Sequence, residues 1–354
     1  MALSPGAGLN HEVARDHGFH AIRVREVVPE TRDSSSFVLD VPDDLRDRYG
    51  YEPGQFLTFR CWVDGKPHLR CYSMSSSPAI DPCMQVTVKR VPNGIVSNWM
   101  IDRVGPGDRI EATLPAGVFG RRARDGDIIA FAGGSGITPI LSILKTFLES
   151  SPGRARLFYA NRHEQSVMFE SELASLTERH GLSVVHHLDA DVGLVDAAEI
   201  RDFAADCNHA DLYLCGPGPF MALAEQTLLQ VGASHEAIHI ERFSPVEETL
   251  LPQPPPDDAG PTQVTIDLDG DVEVADHRPG TTVLQTARQL GLSPPFSCEA
   301  GNCATCMAKL AVGAVTMYTN NALTDDEVAD GWILTCQAVP TTPSVHVIYG
   351  WEEN

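Results

Sequence analysis

The sequence predicts a multidomain chain in three parts: an antiparallel β-barrel, an α/β unit with a doubly wound parallel sheet, and a small α+β unit. Three observations predict it. Up to about residue 120, short segments alternate apolar and polar residues between Gly and Pro turn signals. From residue 128, apolar strands alternate with helical patterns, which implies a parallel sheet. A stretch rich in proline and acid, residues 245–261, then precedes a third segment with its own hairpin, helix and cysteine loop. The expected boundaries are therefore 18–122, 123–244 and 262–354, with 245–261 as an extended, semi-rigid linker.

The elements follow in order. Residues 21–28, 36–41, 56–62 and 84–90 read as barrel strands. A softer boundary falls at 121–125, where Arg-Arg-Ala-Arg-Asp precedes a new apolar strand at 128–132. Residues 139–148 read as a helix, 156–159 as a strand, 169–179 as a helix and 183–188 as a strand. A strand at 211–215 leads into a helix at 219–231. After the linker, 263–268 and 272–274 pair as a hairpin through Asp269-Gly270. A helix at 282–290, the cysteine loop and a late strand at 344–349 complete an order of the β-grasp type.

Bulk properties narrow the function. The 354 residues are too many for one ordinary core, and 43% hydrophobic content is that of a globular protein. No apolar run reaches membrane-spanning length. The first ten residues lack the basic start and apolar core of a signal peptide. With nine cysteines, this fits a reducing compartment, so a cytoplasmic location is expected. A net charge of −22 argues against nucleic acid, whose phosphates would repel it. From residue 262 onward twelve Asp or Glu face three Lys or Arg, a net of −9. That segment is either simply kept soluble by its charge or presents an acidic face to a basic electron partner.

The cysteines carry the most chemistry. Cys298, Cys303 and Cys306 stand in Cys-x4-Cys-x2-Cys spacing, and Cys336 follows in Leu-Thr-Cys-Gln. This is the spacing by which plant-type ferredoxins hold a [2Fe–2S] cluster: a tight loop wraps three thiolates around the iron, and a distant strand end brings the fourth. A structural zinc site favours two Cys-x2-Cys knuckles, and one is present. The other cysteines, Cys61, Cys71, Cys83, Cys207 and Cys215, lack the spacing of a disulfide framework.

Two further motifs suggest bound nucleotides. In Arg70-Cys-Tyr72-Ser73-Met-Ser-Ser-Ser-Pro78, Arg70 can pair with a phosphate, Tyr72 can pack on a flat ring, and Ser73 offers a short donor at a strand end. The serine run after it reads as an ordinary solvated loop. Val88-Lys89-Arg90 ends a strand, and Gly94-Ile-Val96-Ser97-Asn-Trp-Met opens a helix whose free N–H groups suit an anion. Ser97 or Asn93 can equally cap that helix.

Gly133-Gly134-Ser135-Gly136-Ile137-Thr138-Pro139 joins a strand to a helix and leaves room for a pyrophosphate. Cys215-Gly216-Pro217-Gly218-Pro219 lies at the carboxyl end of a later strand, where open parallel sheets bind ligands. Cys215 can touch a nicotinamide there or merely fill space. Asn161 and Arg162 end a strand on the adenosine side; Arg162 suits a 2′-phosphate or a ribose, so NADH and NADPH both remain open. Phe243, after His239-Ile-Glu-Arg, is either core or a cover for a flat cofactor.

Together these motifs resemble the ferredoxin–NADP reductase superfamily with a C-terminal plant-type ferredoxin domain, from about His20 onward. Tyr-Ala-Asn-Arg, Val-Ser-Asn-Trp and Cys-Gly-Pro-Gly-Pro-Phe-Met look most like the reductase components of 3-ketosteroid 9α-hydroxylases, with the reductases of phenylacetyl-CoA epoxidases a close second. The resemblance implies FAD rather than FMN. It implies flavin contacts from Arg70, Tyr72, Ser73, Val88, Lys89, Gly94, Val96 and Ser97. For the nicotinamide nucleotide it implies Gly134, Ser135, Gly136, Thr138, Asn161, Arg162, Cys215, Gly216 and Pro217. Ser73, Cys215 and Phe243 would then border the reacting atoms, and Cys298, Cys303, Cys306 and Cys336 would hold the cluster. Two local departures stand out: Met74 replaces a commoner leucine, and Asn93 stands where a second glycine is frequent.

The expected activity is electron transfer from NADH through FAD and [2Fe–2S] to a terminal, Rieske-type oxygenase, with an epoxidase-like system using NADPH or a non-catalytic carrier as alternatives. A complete oxygenase is disfavoured. His186-His187 and His235/His239 lack a supporting carboxylate pattern and read as surface or helix residues.

Overall fold

The computed structural model describes residues 19–117, 119–120, 126–205, 207–243, 262–268, 270–292, 294–296, 301, 306–320, 322–323 and 325–349. The expected linker at 245–261 and the softer boundary at 121–125 lie outside these residues, as do Cys298 and Cys303.

The first sheet contains β1 (His20–Thr31), β2 (Ser34–Asp40), β3 (Phe56–Val63), β4 (Lys66–Ser73), β5 (Met84–Lys89) and, after helix α1 (Ile95–Arg103), β6 (Arg109–Ala112). The strands lie in the order β4-β3-β6-β1-β2-β5, every pair antiparallel. A bridge between Met74 and Val86 joins the two edges and closes the sheet as a barrel, so Met74 is a fully buried seam residue. Alternation places Ile22, Val24, Phe37, Leu39, Leu57, Phe59, Val86 and Val88 inside, and α1 adds Val96 and Met100 to them.

Strand β4 had no period-2 signal in sequence, because Lys-Pro-His-Leu-Arg-Cys-Tyr-Ser does not alternate. It forms because Asp64 and Gly65, both at positive φ, make the two-residue turn that returns the chain along β3. Pro67 is tolerated because β4 lies at the end of the hydrogen-bonded strand order.

The second sheet contains β7 (Asp127–Gly133), β8 (Ala155–Asn161), β9 (Ser183–Leu188), β10 (Ala210–Cys215) and β11 (Ile238–Glu241), all parallel, in the order β11-β10-β7-β8-β9. Helix α2 (Ile137–Ser150) follows β7 and α3 (Glu170–His180) follows β8. The short α4 (Asp189–Val192) and α5 (Ala197–Phe203) follow β9, and α6 (Gly218–Gln230) follows β10. The chain winds outward from β7 in both directions, so the switch point lies between the carboxyl ends of β7 and β10. Ile128, Ala130 and Tyr159 face α2, while Ile129, Phe131 and Leu212 face α5 and α6.

His186 and His235 are exposed, as expected, whereas His187 and His239 differ from the sequence expectation. His187 is buried in β9, with Nδ1 2.9 Å from Glu199 Oε1 and Nε2 2.8 Å from the Gly193 carbonyl. His239 lies in β11, stacked on Tyr213 at 4.7 Å and 3.1 Å from Asp211 Oδ1. They act as internal braces, with partners in a turn, a helix and a neighbouring strand that periodicity does not reveal. Strand β11 and helix α4 carry no clear sequence signal either, each being short, while α5 starts at a capping box between Asp196 and Glu199.

The third sheet contains β12 (Thr262–Leu268), β13 (Asp271–His277), β14 (Met307–Val312), β16 (Trp332–Leu334) and β18 (Ser344–Tyr349), in the order β13-β12-β18-β14-β16. A two-stranded ribbon of β15 (Val315–Met317) and β17 (Ala338–Pro340) lies beside it. The expected hairpin and late strand are present, and β12 and β18 run parallel. Helix α7 (Val283–Gln289) starts at a capping box between Thr282 and Gln285 and packs Val283 and Ala287 on Val264, Ile266, Val345 and Val347. A short α8 (Asp325–Ala329) precedes β16. Among the described residues, no helix is long and apolar enough to cross a membrane.

Candidate flavin, nucleotide and cluster sites

Strand β4 carries the first site. Its pairing with β3 sets Tyr72 opposite Leu57 and Arg70 opposite Phe59. The Tyr72 ring lies 5.9 Å from that of Phe59, and burial pushes its hydroxyl well above the usual tyrosine range. Arg70 is exposed at the mouth of the strand. Ser73 is buried, and its Oγ donates to Glu241 Oε2 at 3.1 Å.

Glu241 was missing from the sequence-based site. It ends β11, directly opposite Cys215 at the end of β10. Burial pushes its carboxyl up to about 8, against a weaker opposing pull from Ser73. A group with that affinity holds its proton at neutral pH. Burial, with Glu241 beside it, also raises the Cys215 thiol well above its usual range, so it stays a neutral thiol. The junction of barrel and sheet therefore brings together Ser73, Cys215 and Glu241, all uncharged and all capable of polar contact. The available signal was an acid immediately after an apolar strand at the carboxyl edge of a parallel sheet. Phe243, two residues on, is 48% exposed, which excludes the core reading.

The start of α1 is open. Gly94 is its N-cap, with no side-chain cap. Ser97 Oγ instead accepts the Val91 N–H at 3.1 Å, and Asn98 Nδ2 donates to the carbonyls of Val91 and Gly94. The capping role expected for Ser97 or Asn93 is thus not observed, and the helix N–H groups remain available to an anion. A Cβ on Gly94 would sit 2.7 Å from Ser97 Oγ. Asn93 adopts φ 59°, a left-handed conformation that asparagine tolerates, so its replacement of a glycine preserves the turn. Val88 and Val96 face the barrel core. Lys89 lies between barrel and sheet, donating to the Ser166 carbonyl at 3.3 Å; burial lowers its ammonium, and nearby Arg162 adds to that.

The nucleotide loop is a backbone cradle. A Cβ on Gly136 would overlap the Cys215 carbonyl, and one on Gly216 would lie 2.9 Å from the Gly133 backbone. Only glycines let these two loops pack so closely. Thr138 Oγ1 donates to the Ser135 carbonyl at 3.0 Å, and Tyr159 Oη donates to the Gly134 carbonyl at 3.2 Å. Helices α2 and α6 both begin here without side-chain caps, with Gly136 and Pro217 at their N-cap positions. Asn161 is buried, and its amide atoms have no hydrogen-bond partner among the described residues. A buried amide without partners is costly, so a ligand that supplied them would be well held. Arg162 is exposed beside it.

The third sheet brings two cysteines together. Pairing of Met307 with Leu334 places Cys306, just before β14, against the segment that ends in Cys336. Thr335 fixes this, donating to the Cys306 carbonyl through both N (3.2 Å) and Oγ1 (2.8 Å). Both cysteines are buried with Leu284, Leu323 and Leu334, and neither is in a disulfide. Gly301, at φ 75°, lies against the Thr319 carbonyl, where a Cβ would stand 2.5 Å from the oxygen. Two cysteine sulfurs buried in one apolar cluster suit an iron–sulfur centre.

Comparison with known proteins identifies the domain class of each unit. Residues 21–120 match the oxidoreductase FAD-binding domain, 131–226 the oxidoreductase NAD-binding domain, and 266–341 the 2Fe-2S iron-sulfur cluster binding domain. The chain is 38% identical over 342 residues to the ferredoxin reductase component of 3-ketosteroid-9-alpha-monooxygenase from Rhodococcus rhodochrous, covering 94% of this chain and 97% of that protein. It is 39% identical to the corresponding protein of Mycolicibacterium smegmatis, covering 93% of this chain and 96% of that one. One of the subunits of the Escherichia coli 1,2-phenylacetyl-CoA epoxidase is 34% identical, at 93% and 97% coverage. In fold, the chain is similar to phthalate dioxygenase reductase, with a TM-score of 0.60, 24% identity, and 94% and 98% coverage. The chain belongs to the family of modular oxidoreductases that join FAD-binding, NAD-binding and [2Fe–2S] domains, the family of the 3-ketosteroid-9-alpha-monooxygenase reductase components.

Proposed function

We propose that this chain is the reductase component of a 3-ketosteroid 9α-hydroxylase-like system, drawing electrons from NADH and delivering them to a Rieske-type terminal oxygenase. Its units would run 18–122 for FAD, 123–244 for the nicotinamide nucleotide and 262–354 for the cluster, in a cytoplasmic protein. The observation that carries this reading is the meeting of Ser73, Cys215 and Glu241 between barrel and sheet, in a chain whose third unit brings Cys306 and Cys336 into one apolar cluster. Full-length similarity to reductase components of multicomponent oxygenases supports the partner class.

When bound, FAD supplies a two-electron acceptor able to release electrons singly, and the [2Fe–2S] centre a one-electron carrier. The protein's part is placement. Arg70, Lys89 and the open start of α1 from Gly94 to Ser97 would hold phosphate, and Tyr72 would pack beside the ring. Gly134 to Thr138 with Gly216 and Pro217 would seat the nicotinamide nucleotide, and the exposed Phe243 would be available to cover the flavin. Ser73, Cys215 and Glu241 line the meeting point without a formal charge, so Ser73 and Glu241 can share or donate a proton there. Cys298 and Cys303 would complete the iron ligands with Cys306 and Cys336.

NADH is favoured over NADPH by the charge beside Arg162. The Arg162 carbonyl accepts the Ala190 N–H at 2.9 Å, which sets Asp189 and Asp191 on either side of that contact. Asp189 Oδ1 lies 3.4 Å from His187 Nε2, and the negative charge of this turn disfavours a 2′-phosphate at the strand end. Stopped-flow absorbance tests the reading: purified protein mixed anaerobically with NADH should lose flavin absorbance first and cluster absorbance next, faster with NADH than with NADPH. Cluster bands alone, unaffected by NADH, would identify a simple carrier.

A further inference from the structure

Ser75, Ser76 and Ser77 follow the Tyr72-Ser73 pair after Met74, and all three are buried rather than solvated. Ser75 Oγ lies 2.7 Å from Thr87 Oγ1. Ser76 Oγ lies 2.7 Å from Tyr51 Oη and accepts the Gln85 N–H at 2.8 Å. Their remaining groups meet helix α2. Ser142 Oγ donates to the Ser76 carbonyl at 2.6 Å, and Ser77 Oγ lies 2.7 Å from Thr146 Oγ1. Asp81 accepts the Ser77 N–H at 2.6 Å and stands 2.6 Å from Lys145 Nζ.

Lys145 is the centre of this joint. It is 4% exposed, and its ammonium also pairs with Glu172 on α3. One cation thus holds a carboxylate of the barrel and a carboxylate of the nucleotide unit. A third carboxylate, Glu30 of β1, is close enough to feel both Lys145 and Glu172, and accepts from Ser36 Oγ at 2.6 Å. Apolar residues seal such a joint at lower cost, because removing charges from water is expensive. What directional pairs add is a single register, since sliding would strand a buried charge.

That register bears on the reaction. Ser142, Lys145 and Thr146 share one face of α2, three and four residues apart. Helix α2 begins at Ile137, directly after the glycine loop, so Ser142 lies only about 7 Å along a rigid axis from it. On the barrel side, Ser75 is two residues beyond Ser73. We infer that Lys145 is a positioning residue for transfer from nicotinamide to flavin, pinning the glycine loop to Ser73 through Asp81 and Glu172. The inference rests on the first step of the function proposed above and is independent of which oxygenase accepts the electrons.

The test compares the holoprotein with Asp81→Asn, which leaves the Lys145–Glu172 pair in place, and with Lys145→Met. FAD and iron content should be unchanged. The limiting rate of flavin reduction by NADH should fall roughly tenfold to a hundredfold, as displacements of about 1 Å do, with NADH affinity within about twofold. Amide hydrogen exchange across residues 75–82 should quicken in Asp81→Asn. A wild-type limiting rate with only a lower melting temperature would overturn the positioning role, as would unchanged exchange at 75–82. If Lys145→Met does not fold, Asp81→Asn decides alone. Wild-type protein whose flavin NADH does not reduce would instead refute the function itself.

Discussion

Ser73 and Glu241, 168 residues apart, meet through a 3.1 Å hydrogen bond in which the serine hydroxyl donates to the carboxyl. The bond crosses from the last position of β4 to the last position of β11, so it ties the barrel to the parallel sheet beside Cys215. Its acceptor is a buried acid held near a pKa of about 8. That combination makes the contact sensitive to pH as well as to mutation.

The stability of the protein should therefore fall as pH rises from about 4.5 to 8. In that window the folded state keeps the Glu241 proton that the unfolded chain has released, so the folded state binds more protons and loses stability with rising pH. The slope from this group approaches about 1.4 kcal/mol per pH unit at most. Glu241→Gln removes it. Melting temperatures measured across the window should diverge, the variant gaining on the wild type toward pH 8. Parallel curves would contradict the assignment.

Ser73→Ala removes the donor from Glu241 and the short hydroxyl from the site. Because that bond lowers the Glu241 pKa, its loss should move the acid further upward. Flavin reduction by NADH should slow by roughly tenfold, the worth of one hydrogen bond of about 1.4 kcal/mol. Stopped-flow traces over pH 6–9 would show both effects; unchanged rates and an unchanged profile would remove Ser73 from the chemistry.

Gly136→Ala should damage nucleotide binding selectively. Its Cβ would overlap the Cys215 carbonyl, which cannot move without disturbing β10. Overpacking of this kind costs about 1–3 kcal/mol, or roughly a tenfold to hundredfold loss of NADH affinity. FAD content and cluster absorbance should remain. Titration of NADH against the oxidised protein checks this.

Cys306→Ser and Cys303→Ser should abolish cluster absorbance and electron delivery to a one-electron protein acceptor while leaving reduction of the flavin by NADH largely intact. Anaerobic reduction monitored at flavin and cluster wavelengths separates the two steps. Continued delivery without a cluster would break the proposed order.

Phe243→Ala should change the rate of flavin reduction with little effect on stability, about 0.5 kcal/mol or less, because the ring is half exposed. Cluster content should not change. An identical reduction rate would count against a covering role.

Several of these residues were legible before any fold was known. The cysteine spacing, the glycine loop and the Arg70-to-Ser73 run announce themselves because thiolate geometry, backbone approach and strand ends impose local requirements. Asp64-Gly65 also carried a hairpin signal that would have placed β4, although β4 itself has no alternation. Glu241 stood in view but without a marker. A lone acid after an apolar strand is ordinary until its burial and its neighbours are known. The serine run at 75–77 misled, because serine-rich stretches are usually wet, and only the packing of α2 keeps this one dry.

By itself the sequence determined the three-part architecture and the cofactor classes. Each of these follows from short-range chemistry: how many donors a cluster needs, which turns demand glycine, which periodicities make strands. The tertiary structure alone decided that Ser73 donates to Glu241, that Cys215 lies beside Glu241, and that Lys145 bridges Asp81 and Glu172. Those contacts join residues far apart along the chain, and the burial that gives them their character exists only once the barrel and the sheet have closed on each other.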